Sequence, residues 1–233
     1  DGIMTADPKA EPNARVIEVI SYLEATELAY FGAKVLHPQM IKPAMELDIP
    51  VRVRNAFKPG HEGTLIVRKP KRTEKIVKAI TASKHVSLIT VGGAGMIGTP
   101  GVAATVFDIL GQADIKVLMI SQSSSQANIS FAVDRTQLDA ALRALRAEFA
   151  KRQIDWSITY DQNASIIATV GAGMKGKLGV AARVFNTIGR NQVNILMIAQ
   201  GSSELNISFA INERDAAKAV RALHDEFRLG RGR

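Results

Sequence analysis

Apolar residues fall into the same succession of rhythms twice along this chain. Val86-Ser87-Leu88-Ile89-Thr90-Val91 and Ser165-Ile166-Ile167-Ala168-Thr169-Val170 are short β-branched, apolar runs that predict strands. Each is followed by a glycine-rich loop and then by apolar positions at helical spacing: Val102, Val106, Ile109 and Leu110, or Val180, Val184 and Ile188. Thr99-Pro100 reads as an N-cap with proline at the first helical position. A second strand is expected over Ile115 to Ser121 and Val193 to Ala199, and a third over Asn128 to Val133 and Asn206 to Ile211. A second helix then runs through Leu138, Ala141, Leu142 and Leu145, or Ala216, Ala217, Val220 and Leu223. The order β-α-β-β-α lacks one strand of the ferredoxin-like βαββαβ pattern. Trp156 to Tyr160 can supply that strand for copy one. Copy two has no candidate after its last helix, and Ile76 to Ile80 is a spare β-rich run that could be exchanged between the copies.

The two copies are related by one register. Gly93-Ala94-Gly95-Met96 recurs as Gly171-Ala172-Gly173-Met174, Gly101-Val102-Ala103-Ala104 as Gly179-Val180-Ala181-Ala182, and Asn128 to Ala132 as Asn206 to Ala210, always 78 residues on. Composition alone does not produce a gapless register of that length, so the chain holds two copies of one small domain behind a different leading segment. The expected division is 1–68 for the leading segment, 69–84 for a linker and exchangeable strand, 85–160 for copy one and 161–233 for copy two. The fold class is α/β (α+β).

Composition narrows the function. With 233 residues and 46% apolar content each part can bury a core, while zero cysteines exclude disulfides and thiolate chemistry. His37, His61, His85 and His224 show no zinc-ligand spacing, so no metal site is expected. No apolar run approaches the roughly 18 residues of a membrane span, and the start has no signal-peptide pattern; a soluble, cytoplasmic chain without a membrane partner is expected. A start on Asp1 also suggests a piece of something longer. The net charge of +8 is uneven: residues 85–160 carry 6 Lys+Arg against 6 Asp+Glu. The excess gathers in Arg68-Lys69-Pro70-Lys71-Arg72 and in Arg228, Arg231 and Arg233, with no interleaved stacking aromatics. That reads as a solvated linker and tail, and no nucleic-acid partner is expected.

Gly93-x-Gly95-x-x-Gly98 and Gly171-x-Gly173-x-x-Gly176 both match the dinucleotide fingerprint between a strand and a helix. The acidic residue that should end the second strand is Ser121-Gln122 or Ala199-Gln200 instead, and the next element is a hairpin partner. A smaller ligand approaching backbone N–H groups is therefore expected. In a split β-α-β arrangement each loop shares a sheet edge with a hairpin turn, here Gln122-Ser123-Ser124-Ser125-Gln126 or Gln200-Gly201-Ser202-Ser203-Glu204. Amides and hydroxyls without a base–nucleophile pair bind and do not react.

Tandem ferredoxin-like modules with a glycine-rich first loop resemble ACT domains, the amino-acid-sensing modules of biosynthetic enzymes. Asp1-Gly2-Ile3-Met4-Thr5-Ala6-Asp7-Pro8, then Glu27-Leu28-Ala29-Tyr30-Phe31-Gly32-Ala33-Lys34-Val35-Leu36-His37-Pro38 and Ile49-Pro50-Val51-Arg52-Val53, closely resemble the end of the catalytic domain of aspartokinases. The resemblance implies the end of an amino-acid-kinase α/β domain followed by two ACT domains. It implies an enzyme that phosphorylates aspartate with ATP and Mg²⁺ in lysine, threonine and methionine biosynthesis, under feedback inhibition. The nucleotide would be met by Asp1, Met4, Asp7, Lys9, Lys34 and Val35; Lys9 stands where the family often has Arg, and Met4 where some members have Tyr. Taken without the resemblance, Lys34 is an ordinary solvated lysine. The family's aspartate-binding residues precede Asp1, so this chain alone is expected to be inactive, with no catalytic residue and no tightly bound cofactor. The effector residues implied are Gly95, Gly98, Val117, Leu118, Gln122, Ser123, Asn128, Gln200 and Ser202. Threonine is the first choice and lysine the second, because lysine-sensitive members carry Asp where this chain has Leu118; Asp114 and Glu204 are close enough in sequence to keep lysine open. A homodimer through the ACT domains is implied, and a stand-alone regulatory subunit of the same ancestry is the alternative.

Overall fold

The computed structural model describes residues 1–31, 38–70 and 75–230. They form two compact units, one of Asp1–Lys84 with Ile166–Arg233 and one of His85–Ser165. The leading segment contains strand β1 (Val19–Ser21), helix α1 (Tyr22–Tyr30), helix α2 (Pro38–Glu46), and strands β2 (Val51–Val53) and β3 (Thr64–Val67). Its sheet has the order β1-β3-β2, with β1 parallel and β2 antiparallel to β3. Ser21 starts α1 with a capping box: its hydroxyl accepts from the Glu24 N–H, and the Glu24 carboxylate accepts from the Ser21 N–H. Ile20 and Ile66 are fully buried between these elements.

Copy one is built from β4 (Ala79–Gly92), α3 (Val102–Gln112), β5 (Val117–Gln122), β6 (Asn128–Asp134), α4 (Leu138–Lys151) and β7 (Ser157–Val170). Within its unit the strand order is β5-β6-β4-β7, using the second part of β4 and the first part of β7. β6 is antiparallel to both β4 and β5, and Gly92 lies opposite Asn128. Alternation turns Ile89, Val91, Ile129, Phe131 and Val133 onto Val106, Ile109 and Leu110 of α3 and Ala141, Leu142 and Leu145 of α4. Each large apolar side chain buried there contributes about 1.5–3 kcal/mol.

Copy two repeats the plan with α5 (Val180–Arg190), β8 (Ile195–Ala199), β9 (Asn206–Asn212) and α6 (Ala216–Glu226). Its order is β4-β7-β9-β8, using the first part of β4 and the second part of β7. Of the expected strand Ile76 to Ile80 only Ala79 and Ile80 belong to β4, which runs on into copy one; ahead of it the Lys78 N–H donates to the Val170 carbonyl at 2.8 Å, and Val77 and Ile80 are buried with Ile167, Val184, Phe209 and Leu223. Each copy thus takes its fourth strand from outside the β-α-β-β-α run of its own sequence.

The start of α3 differs from the expected Thr99-Pro100 cap. The N-cap is Gly101, in the left-handed region at φ 83°, and the helix begins at Val102. The Thr99 N–H and hydroxyl are both turned back into the preceding loop, to the Met96 and Gly95 carbonyls, so that oxygen is not aimed at the helix. Copy two, with Lys177-Leu178 in place of Thr99-Pro100, starts α5 in the same way on Gly179 at φ 79°. The repeated glycine sets the turn. Among the described residues no helix is long and apolar enough to cross a membrane.

Candidate functional site

Because β4 and β5 are both antiparallel to β6, the loop after β4 and the turn after β5 come to the same edge of the sheet. The Gly93 N–H donates to the Ala127 carbonyl at 3.1 Å, and the Ser123 N–H donates to the Asn128 carbonyl at 3.3 Å. The loop makes one 3₁₀ turn, Ala94–Met96, and directs the N–H groups of Met96, Ile97 and Thr99 to its own carbonyls. Those of Ala94, Gly95 and Gly98 lie outside this internal bonding. Gly98, at φ 68°, holds a left-handed turn that a side chain would strain. A Cβ on Gly95 would meet nothing closer than Trp156 Nε1 at 3.8 Å, and one on Gly98 would meet nothing within 4 Å. The structure therefore brings Gly95, Gly98, Gln122, Ser123 and Asn128 to one open edge. Val117 and Leu118 start β5 and lie at its other end, Val117 about 16 Å from Gln122 by strand rise.

Copy two has the same turn with different surroundings. The Ala172 N–H, counterpart of Ala94, donates to Glu24 Oε1 at 2.7 Å. The Gly176 N–H, counterpart of Gly98, donates to Glu204 Oε2 at 2.6 Å. Glu24 is completely buried, and its Oε2 accepts from the Ser21 N–H at 2.9 Å, the Ser21 hydroxyl at 2.7 Å and the Lys78 ammonium at 3.0 Å. Burial pushes the Glu24 carboxyl up. The Ala172 hydrogen bond, the Lys78 charge and the Ser21 donors outweigh it, and the net pKa lies below the ordinary 4.5, so the group is ionised at neutral pH. Backbone also crosses this loop: a Cβ on Gly171 would be 2.5 Å from the Ile76 carbonyl oxygen, and one on Gly173 would be 2.8 Å from Ile76 Cα. Gln200 and Ser202 are exposed in the adjoining turn.

A loop of this shape presents N–H donors to carboxylates. In copy two the protein supplies the carboxylates itself. In copy one the position matching Glu204 is Gln126, and among the described residues the Ala94 and Gly98 N–H groups meet no carboxylate.

The ACT domain model matches residues 89–149 and 167–227, and the amino acid kinase family model matches residues 1–55. The bifunctional aspartokinase/homoserine dehydrogenase of Haemophilus influenzae is 40% identical over 228 residues, covering 96% of this chain and 28% of that protein. The crystal structure of Clostridium acetobutylicum aspartate kinase superposes with a TM-score of 0.88 at 31% identity, over 97% of this chain and 52% of that one. This chain belongs to the aspartokinase family. E. coli aspartokinase III in complex with lysine and aspartate is similar too, with a TM-score of 0.82 at 31% identity over 97% of this chain and 49% of that chain. The chain spans about a quarter of the bifunctional relative and about half of each crystallised kinase.

Of the nucleotide-facing residues that the aspartokinase resemblance implies, Lys34 and Val35 lie outside the described residues. Asp1 accepts from Asn55 Nδ2 at 2.8 Å and pairs with Lys58 at 3.5 Å. Met4 bridges to Val16, and one oxygen of the exposed Asp7 accepts from the Lys9 N–H at 2.9 Å. Acceptor carboxylates of this kind suit the hydroxyls of a ribose better than the oxygens of a triphosphate.

Sequence reasoning missed Glu24 and Lys78, and also a cluster of Glu11, His224 and Asp225. Glu204 was legible in the sequence as a carboxylate that kept lysine open as effector; here it accepts from the Gly176 N–H, at the position where copy one has Gln126.

Proposed function

We propose that this chain is the effector-sensing part of an aspartokinase that transfers the γ-phosphoryl group of ATP to the side-chain carboxylate of L-aspartate, giving 4-phospho-L-aspartate, and that the open loop of copy one binds a feedback-inhibiting amino acid. The observation that carries this reading is that the same loop in copy two already holds two carboxylates on its N–H groups. The α-carboxylate of a free amino acid would take the matching donors of Ala94 and Gly98, with the Gln122 amide oxygen accepting from its ammonium or hydroxyl. Threonine is preferred over lysine: the turn Gln122 to Gln126 offers amides and hydroxyls and no carboxylate, and a second, buried ammonium would be costly there.

Within the kinase, Asp1, Met4, Asp7 and Lys9 would face the base and ribose of ATP, and Mg²⁺ would offset charge between the two anionic reactants. The aspartate-holding part of the catalytic apparatus belongs to residues outside this sequence. A coupled assay with aspartate, ATP and Mg²⁺ is accordingly expected to show no turnover by this chain. A homodimer through the copies fits the exposed Ile120 on the outermost strand β5 and the exposed Leu196 and Ile198 on the outermost strand β8. The alternative, a regulatory subunit without a kinase portion, is disfavoured by the kinase-family match over residues 1–55.

Calorimetric titration with threonine, lysine and methionine tests the choice of effector. Threonine is expected to bind most tightly; tighter binding of lysine would overturn that choice.

A further inference from the structure

His224, in the last turn of α6, is completely buried, and its two ring nitrogens are placed differently. Nε2 is hydrogen-bonded to the Thr5 hydroxyl oxygen at 2.9 Å, and that oxygen also accepts from the Arg15 N–H at 2.9 Å. Nδ1 is buried and has no hydrogen-bond partner among the described residues. A ring nitrogen of His224 and carboxylate oxygens of Glu11 and Asp225 all lie within 4.8 Å of one another. Nε2 is engaged by Thr5, so Nδ1 is the nitrogen left to act in this cluster. Glu11 is only 3% exposed, and its Oε1 is held by the Asn13 N–H at 2.8 Å. Asp225 is exposed, which leaves the cluster open to water on one side. Burial holds the imidazole below its ordinary pKa of 6.5, although Glu11 and Asp225 pull it up; Lys75 adds to the lowering. The ring is therefore neutral at pH 7, the form that offers a lone pair.

We propose that Glu11, His224 Nδ1 and Asp225 form a binding site for a divalent cation, Zn²⁺ in the first instance. One imidazole with two carboxylates suits a borderline cation better than Mg²⁺ or Ca²⁺, which prefer all-oxygen sites. Three protein ligands with water in the fourth position complete a tetrahedral shell. Bond lengths of about 2.0–2.2 Å place the ligands of one tetrahedral ion roughly 3.3–3.6 Å apart, so groups up to 4.8 Å apart have to close by as much as about 1.2–1.5 Å, a shift that rotation of the exposed Asp225 side chain can contribute to. A metal-bound imidazole commonly donates its other N–H to an oxygen that fixes the ring, and the Thr5 hydroxyl is placed for that role. Among the described residues Lys75 is the opposing charge that acts on the ring, against two carboxylates. Although Glu11 and His224 are 213 residues apart in sequence, a shared ion would clamp the stretch that carries Asp7 and Lys9 to the last helix of copy two.

The test is titration of the untagged 233-residue chain, stripped by a chelator, with ZnCl₂ by calorimetry, together with thermal unfolding and the visible absorption of the Co²⁺ form. One Zn²⁺ per chain is expected, with a raised unfolding midpoint and no comparable effect of MgCl₂. Because His224 is in the core, the exposed Asp225→Asn is the deciding variant and should weaken Zn²⁺ binding at least about tenfold; Thr5→Val should weaken it about ten- to a hundredfold. His61→Gln, on an exposed residue outside the cluster, should leave it unchanged. Absence of stoichiometric Zn²⁺ binding, or binding unaffected by Asp225→Asn, would overturn the proposal, as would its loss in His61→Gln.

Discussion

The glycine-rich loops of copies one and two begin with the same four residues and make the same backbone turn, but they meet different partners. In copy two, Glu24 and Glu204 occupy the N–H groups of Ala172 and Gly176, and the segment through Ile76 lies against Gly171 and Gly173. In copy one, the space over Gly98 is free, a Cβ on Gly95 would reach only an ordinary contact with Trp156 Nε1 at 3.8 Å, and position 126 is an amide. Loop geometry alone presents N–H donors. Residues elsewhere in the chain decide what meets it: in copy two a buried glutamate and the segment through Ile76 make it a structural contact. The two copies keep one backbone turn and differ in what meets it.

The comparison is broken most severely at Glu24. Glu24→Gln leaves the Lys78 ammonium buried without a counter-charge and is expected to cost about 3–5 kcal/mol in urea unfolding. A loss below about 1 kcal/mol, the worth of an exposed pair, would show that copy two is not held in this way. The same carboxylate gives stability a pH dependence. Its folded pKa is depressed, so its contribution is present above the ordinary 4.5 and is lost as pH falls through the folded value. His224 is also depressed and weakens the fold as pH falls below its ordinary 6.5. Unfolding midpoints measured from pH 7 to pH 3 should therefore fall in two stages, and Glu24→Gln should flatten the lower one. An unchanged lower stage would mean that the folded carboxyl is not preferentially ionised.

A smaller effect separates the two loops directly. In Gly173→Ala the new methyl would lie 2.8 Å from backbone atoms of residues 75 and 76, an overpacking expected to cost about 1–3 kcal/mol. Gly95→Ala, whose new methyl would meet only Trp156 Nε1 at an ordinary 3.8 Å, should stay within about 0.5 kcal/mol in chemical unfolding. Equal costs at the two positions would erase the distinction between a filled and an open loop.

Local periodicity carried much of the fold. The 78-residue register, the strand runs and the helical spacings of Val102 to Leu110 and Val180 to Ile188 depend on neighbours a few residues apart, and they reappear as sheets and helices. The spare run Ile76 to Ile80 was legible from its β-rich residues, but its strand begins only at Ala79, and the place of Val77 and Ile80 in the core of copy two depends on packing far along the chain. Thr99 misled because a hydroxyl before a helix can bond forward or backward, and here a 3₁₀ turn directs it back to the Gly95 carbonyl. In the site, the Gln and Ser turn was readable from residue type. Glu24 was not: it lies 148 residues from the N–H that it holds, within a helix where a glutamate otherwise reads as a solvated charge.

The central claim is that copy one binds the effector while copy two is filled by the protein itself. Its most direct test is titration calorimetry of threonine on the unmutated chain, Gln122→Ala and Gln200→Ala. The account predicts one threonine per chain, weakened in Gln122→Ala by about 1.5–3 kcal/mol for a lost hydrogen bond to a charged group, or roughly ten- to a hundredfold, and unchanged in Gln200→Ala. Two equivalent sites per chain, or affinity that falls only in Gln200→Ala, would contradict it.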